Sequence, residues 1–381
     1  MKLAFYIHIP YCIKRCGYCD FNTYTPAELK INSKVSEISK SYIDSALNEI
    51  ELAETKLNQK VDVSSIFFGG GTPSLMEPTD ISRVITKISK SFNLSNDAEV
   101  TLEVNPDSVD KIKLESFFAV GVNRLSIGMQ SAVPHVLKVL DRTHNPDNVA
   151  KVTSWAHDIG FPQISVDLIY GTPGESISDW QSSIDSALSL PISHISAYSL
   201  IVEPNTKLAA QISRGEISKI DEDLTAEKYL LADKLFTQAG FNWYELSNWA
   251  KANSESRHNL SYWKGENWWG VGPGAHSHLN SERFWNVKNP LTYKAQIEQG
   301  VLPIENSEKL NSSQIENERL MLSIRLTSGI ETNSLNQTQI QGLSGYLNSG
   351  HLDQYQWDRG KAILTVDGRL IADKILREIL L

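Results

Sequence analysis

Cys12, Cys16 and Cys19 are the only cysteines in the 381 residues, and they stand in the spacing C-x3-C-x2-C. An odd, tightly clustered set is a poor disulfide framework. Thiolate is instead a soft ligand, suited to zinc or to iron–sulfur. A structural zinc site takes four ligands, usually as two close pairs on either side of a longer loop; here one triplet stands without a second pair. His8 precedes it, but on a strand its side chain has to turn back to join. A [4Fe–4S] cubane held by three thiolates keeps one iron open, and an amino-acid-like ligand fills that corner with its amine and carboxylate. The remaining reading, three buried thiols without a cofactor, is set against the rarity of this spacing at the end of a first strand.

Other residues suit such a ligand. The Gly69-Gly70-Gly71 run carries no Cβ to hold a ligand away from the backbone. Glu103 and Asp167 can accept from an amine and from ribose hydroxyls, and Arg142 can pair with a carboxylate.

These residues fall at the ends of short apolar runs. The runs are LAFYIHI (3–9), VSSIFFGGGTP (63–73), AEVTLEVNP (98–106), GVNRLSIGMQS (121–131), FPQISVDLIYGTPG (161–174) and ISHISAYSLI (192–201), each ending in Gly, Pro or polar residues. Helical faces lie between them, such as Ile43, Ala46, Leu47 and Ile50, or Ile81, Val84, Ile85 and Ile88. Helix-sized linkers imply parallel strands joined by right-handed crossovers. The expectation is an α/β fold, a partial (β/α)6 TIM-like barrel over roughly residues 1–210, with an open doubly wound sheet as the alternative. The site then lies at the C-terminal strand ends, where parallel α/β folds build sites. By domains, residues 1–235 form the core barrel, 236–300 complete it, and 301–381 form a small helical, winged-helix-like domain with a β-wing. Residues 225–250 read as helix then strand, 258–290 as a Gly-, Trp- and Asn-rich loop, and the C-terminus as a small hairpin followed by a helix.

Bulk properties bound the function. A net charge of −9 and a pI near 5.5 argue against a nucleic-acid surface, which needs clustered Lys and Arg. No stretch approaches the ~20 apolar residues of a membrane span. The N-terminal apolar run leads into cysteines with no small-residue cleavage site. A cytoplasmic protein without a transmembrane segment is expected.

The motifs Tyr6-Ile-His-Ile-Pro-Tyr-Cys12, Gly69-Gly-Gly-Thr-Pro73, Leu102-Glu-Val-Asn-Pro106, Ser126-Ile-Gly-Met-Gln-Ser131 and Asp167-Leu-Ile-Tyr-Gly171 resemble the radical SAM superfamily around oxygen-independent coproporphyrinogen III oxidase. The resemblance spans essentially the whole chain. It implies a [4Fe–4S] cluster on the three cysteines and S-adenosylmethionine (SAM) at the open iron. By motif it implicates Tyr6, Gly70, Gly71, Thr72, Glu103, Gln130, Arg142, Asp167, Ala197 and His276 in cofactor binding. Two departures set the chain apart from the oxidases resembled: Phe21 stands where they carry a fourth cysteine, and only eleven residues precede Cys12.

A second motif, His258-Asn-Leu-Ser-Tyr-Trp263, is followed by Gly270-Val-Gly-Pro-Gly-Ala-His-Ser277. HNxxYW at this place resembles the haem chaperone branch of the family, which implies haem binding and delivery to acceptor haemoproteins. Histidine is a common axial ligand of haem iron, and Tyr262 and Trp263 offer flat faces to a porphyrin. Asn259 completes the motif, and Trp243, Trp249, Trp268, Trp269 and Trp285 lie nearby. His258, His276 and His278 are each candidate iron ligands; the plainer reading of a histidine beside aromatics is a satisfied core residue. The expected function is therefore a haem chaperone holding a [4Fe–4S] cluster, SAM and haem, with a homodimer as the oligomeric expectation. The alternatives are a radical SAM enzyme that oxidatively decarboxylates porphyrinogen propionates, and a non-catalytic zinc protein.

Overall fold

The computed structural model describes residues 1–31 and 35–380. Strands and helices alternate through the first half: β1 (Lys2–Ile9), α1 (Val35–Leu57), β2 (Asp62–Gly70), α2 (Pro78–Ser91), β3 (Asn93–Val104), α3 (Lys111–Ala119), β4 (Arg124–Gln130), α4 (Pro134–Val139), α5 (Asp147–Ile159), β5 (Gln163–Tyr170), α6 (Ile177–Leu188) and β6 (His194–Ser199). These six strands pair in sequence order, every pair parallel.

Alternation along the strands explains why the fold has a usable interior. Leu102, Leu125, Ile127, Val166, Leu168 and Ile195 are fully buried in the main hydrophobic core with the helices. Their neighbours Thr101, Glu103, Arg124, Ser126, Ser165 and Asp167 all line one cavity. Successive side chains of a strand point to opposite faces, so apolar residues face the helices and polar residues face inward. All six strands contribute lining residues to that cavity, so the sheet curls around it as a partial barrel.

The second half extends the sheet at both edges. After α7 (Lys207–Ser213) and α8 (Glu222–Gln238), β7 (Asn242–Glu245) and β8 (Asn248–Ala250) form an antiparallel pair, with β8 antiparallel to β6. Then α9 (Arg257–Trp263) precedes β9 (Trp268–Val271), which pairs parallel with β1. Beyond it, β10 (His276–Leu279), β11 (Glu282–Asn286), α10 (Pro290–Glu298) and β12 (Ile304–Lys309) continue the sheet antiparallel to a total of twelve strands. The loop-like reading of 258–290 is thus corrected to a helix and three strands. The composition misled because the glycines and asparagines sit at the turns, whereas Trp269 and Phe284 pack into the core. Packing on a sheet edge decides short strands more than propensity does.

The tail comprises α11 (Ser312–Ser323), β13 (Ile330–Glu331), α12 (Gln337–Asn348), α13 (Gln354–Trp357), β14 (Lys361–Ala362), α14 (Val366–Leu370) and α15 (Ala372–Ile379). β13 pairs antiparallel with β14, and an isolated bridge joins Leu352 to Leu364. A separate hydrophobic cluster around Leu320, Ile324, Leu343 and Ile375 holds it together. Arg369 joins it to the barrel through a bidentate pair with Asp233, at 2.8 Å on both arms. No helix among the described residues is long and apolar enough to cross a membrane.

Candidate functional site: a thiol-rimmed cavity with a polar floor

The cysteine loop leaves β1 at the mouth of the barrel and is closed at its base. Tyr11 and Tyr24 form a bridge, and the Cys12 amide donates to the Tyr24 carbonyl at 3.0 Å. Its tip is pinned as well: the Gly17 amide donates to Leu140 O, the Leu208 amide donates to Gly17 O, and Lys14 and Lys207 both bind Asp141. All three thiols are free and line the same cavity, whose volume is about 850 Å³. Burial raises the Cys12 thiol and pushes Cys19 up to about 11, so metal loading must displace protons.

Among the described residues, no three His, Cys, Asp or Glu groups are placed to hold a single metal ion. This arrangement does not suit zinc. It does suit a cluster, in which each thiolate binds a different iron. Sequence reasoning missed Thr23. The residue is 1% exposed, its hydroxyl has no hydrogen-bond partner, and it lies beside Cys12 and Cys19. A buried orphan donor between two soft ligands fits a sulfur-rich group that takes a hydrogen bond. Its only signal in the sequence is its position four residues after Cys19. The Thr72 hydroxyl faces Cys12 Sγ at 3.5 Å, and Arg142 Nη1 donates toward Cys16 Sγ at 3.4 Å.

The glycine run is stitched to this loop: the Gly71 amide donates to Ile9 O and the Thr72 amide to Tyr11 O. A Cβ on Gly70 would lie 2.6 Å from the His8 ring, and Gly70 has φ +108°. The glycine is therefore demanded by the protein's own packing as well as by room for a ligand. Gly70→Ala is expected to cost on the order of 1–3 kcal/mol, read as a lowered melting temperature; an unchanged melt would contradict this packing argument.

Glu103 accepts from the Gly70 amide at 3.1 Å, and Asp167 accepts from Ser126 Oγ at 2.9 Å. Burial raises both carboxyls; the Asp167 charge adds to the effect on Glu103, which reaches about 8. The native protein thus holds the Glu103 proton from about pH 4, where the unfolded carboxyl titrates, to about pH 8. Stability from this group is complete below the unfolded value and is lost as pH rises through the folded one. Glu103→Gln is expected to flatten the fall in melting temperature of the ligand-free protein between about pH 5 and pH 8; parallel profiles would refute it. Gln130 ends β4 at a register shift against β5, with φ +62°. A bulge of this kind re-aims a side chain at a site, and Gln130 lines the cavity.

The floor is a polar network built around α9. His258 Nδ1 meets Ser65 Oγ at 2.8 Å and Nε2 meets Tyr262 OH at 2.8 Å. Asn259 Nδ2 donates to Tyr244 OH and Glu245 Oε1, each at 3.1 Å, while Tyr244 OH also meets His194 Nε2 at 2.8 Å. His258 is 1% exposed, and burial lowers it to about 3, so the ring is neutral.

The structure thus brings Cys12, Cys16, Cys19, Tyr6, Gly70, Gly71, Thr72, Glu103, Gln130, Arg142, Asp167, His258, Asn259 and Tyr262 to one cavity. Three expected residues lie elsewhere. Ala197 is on the helix-facing side of β6 in the core, Trp263 is half-buried at the end of α9, and His276 is exposed on β10. His8 is tied by both ring nitrogens, to Tyr6 OH at 3.0 Å and to Asn22 O at 2.8 Å.

Residues 6–187 match the model of the Radical SAM superfamily. The chain is 42% identical over 376 residues to "Heme chaperone HemW" of Mycobacterium tuberculosis (strain ATCC 25618 / H37Rv), covering 98% of this chain and 94% of that one. It is 33% identical to the protein of that name from Bacillus subtilis (strain 168), over 92% and 90% of the two chains. The fold superposes on the coproporphyrinogen III oxidase HemN of Escherichia coli with a TM-score of 0.83 at 21% identity, covering 99% of this chain and 89% of that one. The chain belongs to the radical SAM superfamily and, within it, to the family of haem chaperones named HemW.

Proposed function

We propose that this protein is a haem chaperone: it holds the [4Fe–4S] cluster and SAM that superfamily membership implies, binds haem, and passes it to acceptor haemoproteins. Cys12, Cys16 and Cys19 would ligate the cluster, whose contribution when bound is an iron with a coordination position left for SAM. Tyr6, Gly70, Gly71, Thr72, Glu103, Gln130, Arg142 and Asp167 would hold SAM, since these residues line the cavity beneath the thiols. Glu103 and Asp167 offer acceptors to an ammonium group, and Arg142 offers a guanidinium to a carboxylate. Ala197 and His276 would contribute no side chain inside the cavity.

The observation that carries the chaperone reading over the oxidase one is Phe21, which is 61% exposed at the cavity mouth. It stands where the oxidases resembled carry a fourth cysteine, and it presents an apolar ring in place of a thiol. Sequence similarity over nearly the whole chain, at 42% and 33% identity, to relatives named as haem chaperones supports the same reading.

The test is a haem titration of anaerobically reconstituted protein, followed by mixing with a haem-free acceptor. A Soret band that moves to the acceptor is the expected result. No haem uptake would overturn the reading. Decarboxylation of coproporphyrinogen III in the presence of SAM and reductant would establish the oxidase instead.

A further inference from the structure

We propose that His276 is the axial ligand of the haem iron, on an open shelf formed by β10 and β11 beside the cysteine loop; the inference rests on the haem-carrying reading above. A ligating imidazole needs a ring nitrogen with a free lone pair and room for a macrocycle. His258 fails on both counts, with two ring hydrogen bonds and 1% exposure. His194 and His8 are buried and doubly bonded in the same way. His278 is buried, with Nδ1 3.3 Å from Glu266 O. His276 is exposed, and among the described residues neither of its ring nitrogens makes a hydrogen bond.

The surroundings match haem, a flat apolar ring carrying two carboxylates. Strand pairing sets His276 beside Trp285, and their rings stack at 5.6 Å with planes 22° apart. The Tyr6↔Gly270, Ala4↔Trp268 and Trp268↔His278 pairings put this face in continuity with the inner face of the barrel. Lys288, just past β11, is exposed and makes no ion pair among the described residues, so it is available to a propionate. Arg283 on the same face is committed to Glu308 and Glu318. Partial burial, with the nearby charges of Lys288 and Arg283, keeps the His276 ring toward its neutral, ligating form. The shelf is also tied to the cluster loop. Asn22 Nδ2 donates to Pro273 O and Lys288 O, and Tyr24 OH donates to Lys288 O. Exposed Phe21 precedes Asn22 in that loop.

The experiment is a haem titration of the reconstituted full-length protein and of its His276→Ala and Lys288→Glu variants, followed by absorbance and by ferric EPR. For His276→Ala, a shifted Soret band, an altered spin state and affinity weakened roughly tenfold or more are expected, with the cluster absorption intact. Added imidazole should restore the wild-type haem spectrum. Lys288→Glu should weaken binding without changing the ligand spectrum. Wild-type spectrum and affinity in His276→Ala would remove the shelf while leaving the carrier reading in place. Absence of haem binding by the wild-type protein would instead remove the carrier reading.

Discussion

Cys16→Ser is expected to abolish cluster loading, leaving the reconstituted protein with background iron and sulfide and no broad visible absorption. The chain has three thiols and no others, so no spare soft ligand can take over. A serine hydroxyl is a hard donor that stays protonated at neutral pH and cannot substitute for a thiolate on iron. The loop does not depend on Cys16 for its shape. Its base is held by the Tyr11–Tyr24 bridge, and its tip by the backbone bonds of Gly17 to Leu140 and Leu208. The variant should therefore fold, with an unchanged far-UV spectrum, and the loss should be read as loss of a ligand. It should far exceed the roughly 10–100-fold that removal of an outer partner costs a metal site. Full iron and sulfide content in Cys16→Ser would refute the three-thiolate site.

Much of this site was legible in the sequence because the residues that face it end strands. Glu103 and Gln130 sit where an apolar run stops, and parallel strands gather their C-terminal ends. The inward face was harder to read. In RLSIGMQ and QISVDLIY the polar residues alternate with apolar ones, and only the closure of the sheet shows that Arg124, Ser126, Ser165 and Asp167 share an interior. The packing of the HNxxYW segment was hidden for a related reason. Its residue types suit a porphyrin, but nothing local tells that Ser65, 193 positions away, engages the His258 ring. Thr23 was invisible because a lone threonine carries meaning only once its hydroxyl is seen to be buried and unpartnered beside two thiols. Ala197 matched a motif, but strand alternation turns its side chain to the helices.

The floor also yields the largest stability effect, at Glu99. This carboxylate is 4% exposed near the bottom of β3. It accepts from Ser256 Oγ at 3.2 Å, from the Arg257 amide at 3.0 Å and from the His258 amide at 2.9 Å. It therefore satisfies the leading amides of α9 and places a negative charge at the positive end of that helix. It also faces buried Arg124, with Oε2 3.6 Å from Nη1, while Arg124 Nη2 already lacks a partner. Glu99→Ala would leave two amides and a hydroxyl without their acceptor, and a buried guanidinium that keeps its bond to Ser254 O at 3.1 Å without this counter-charge. Breaking a buried pair from one side costs about 3–5 kcal/mol, so the melting temperature should fall by roughly 5–10 °C. Glu99→Gln keeps an acceptor for the amides and should fall less. Removing the stranded charge in Glu99→Ala/Arg124→Met should recover part of the loss, because the cost lies mainly in the unpaired cation rather than in the missing contact. A melting temperature for Glu99→Ala within about 1 °C of wild type would show that α9 is held by apolar packing alone. The polar floor would then be a consequence of barrel closure rather than its cause.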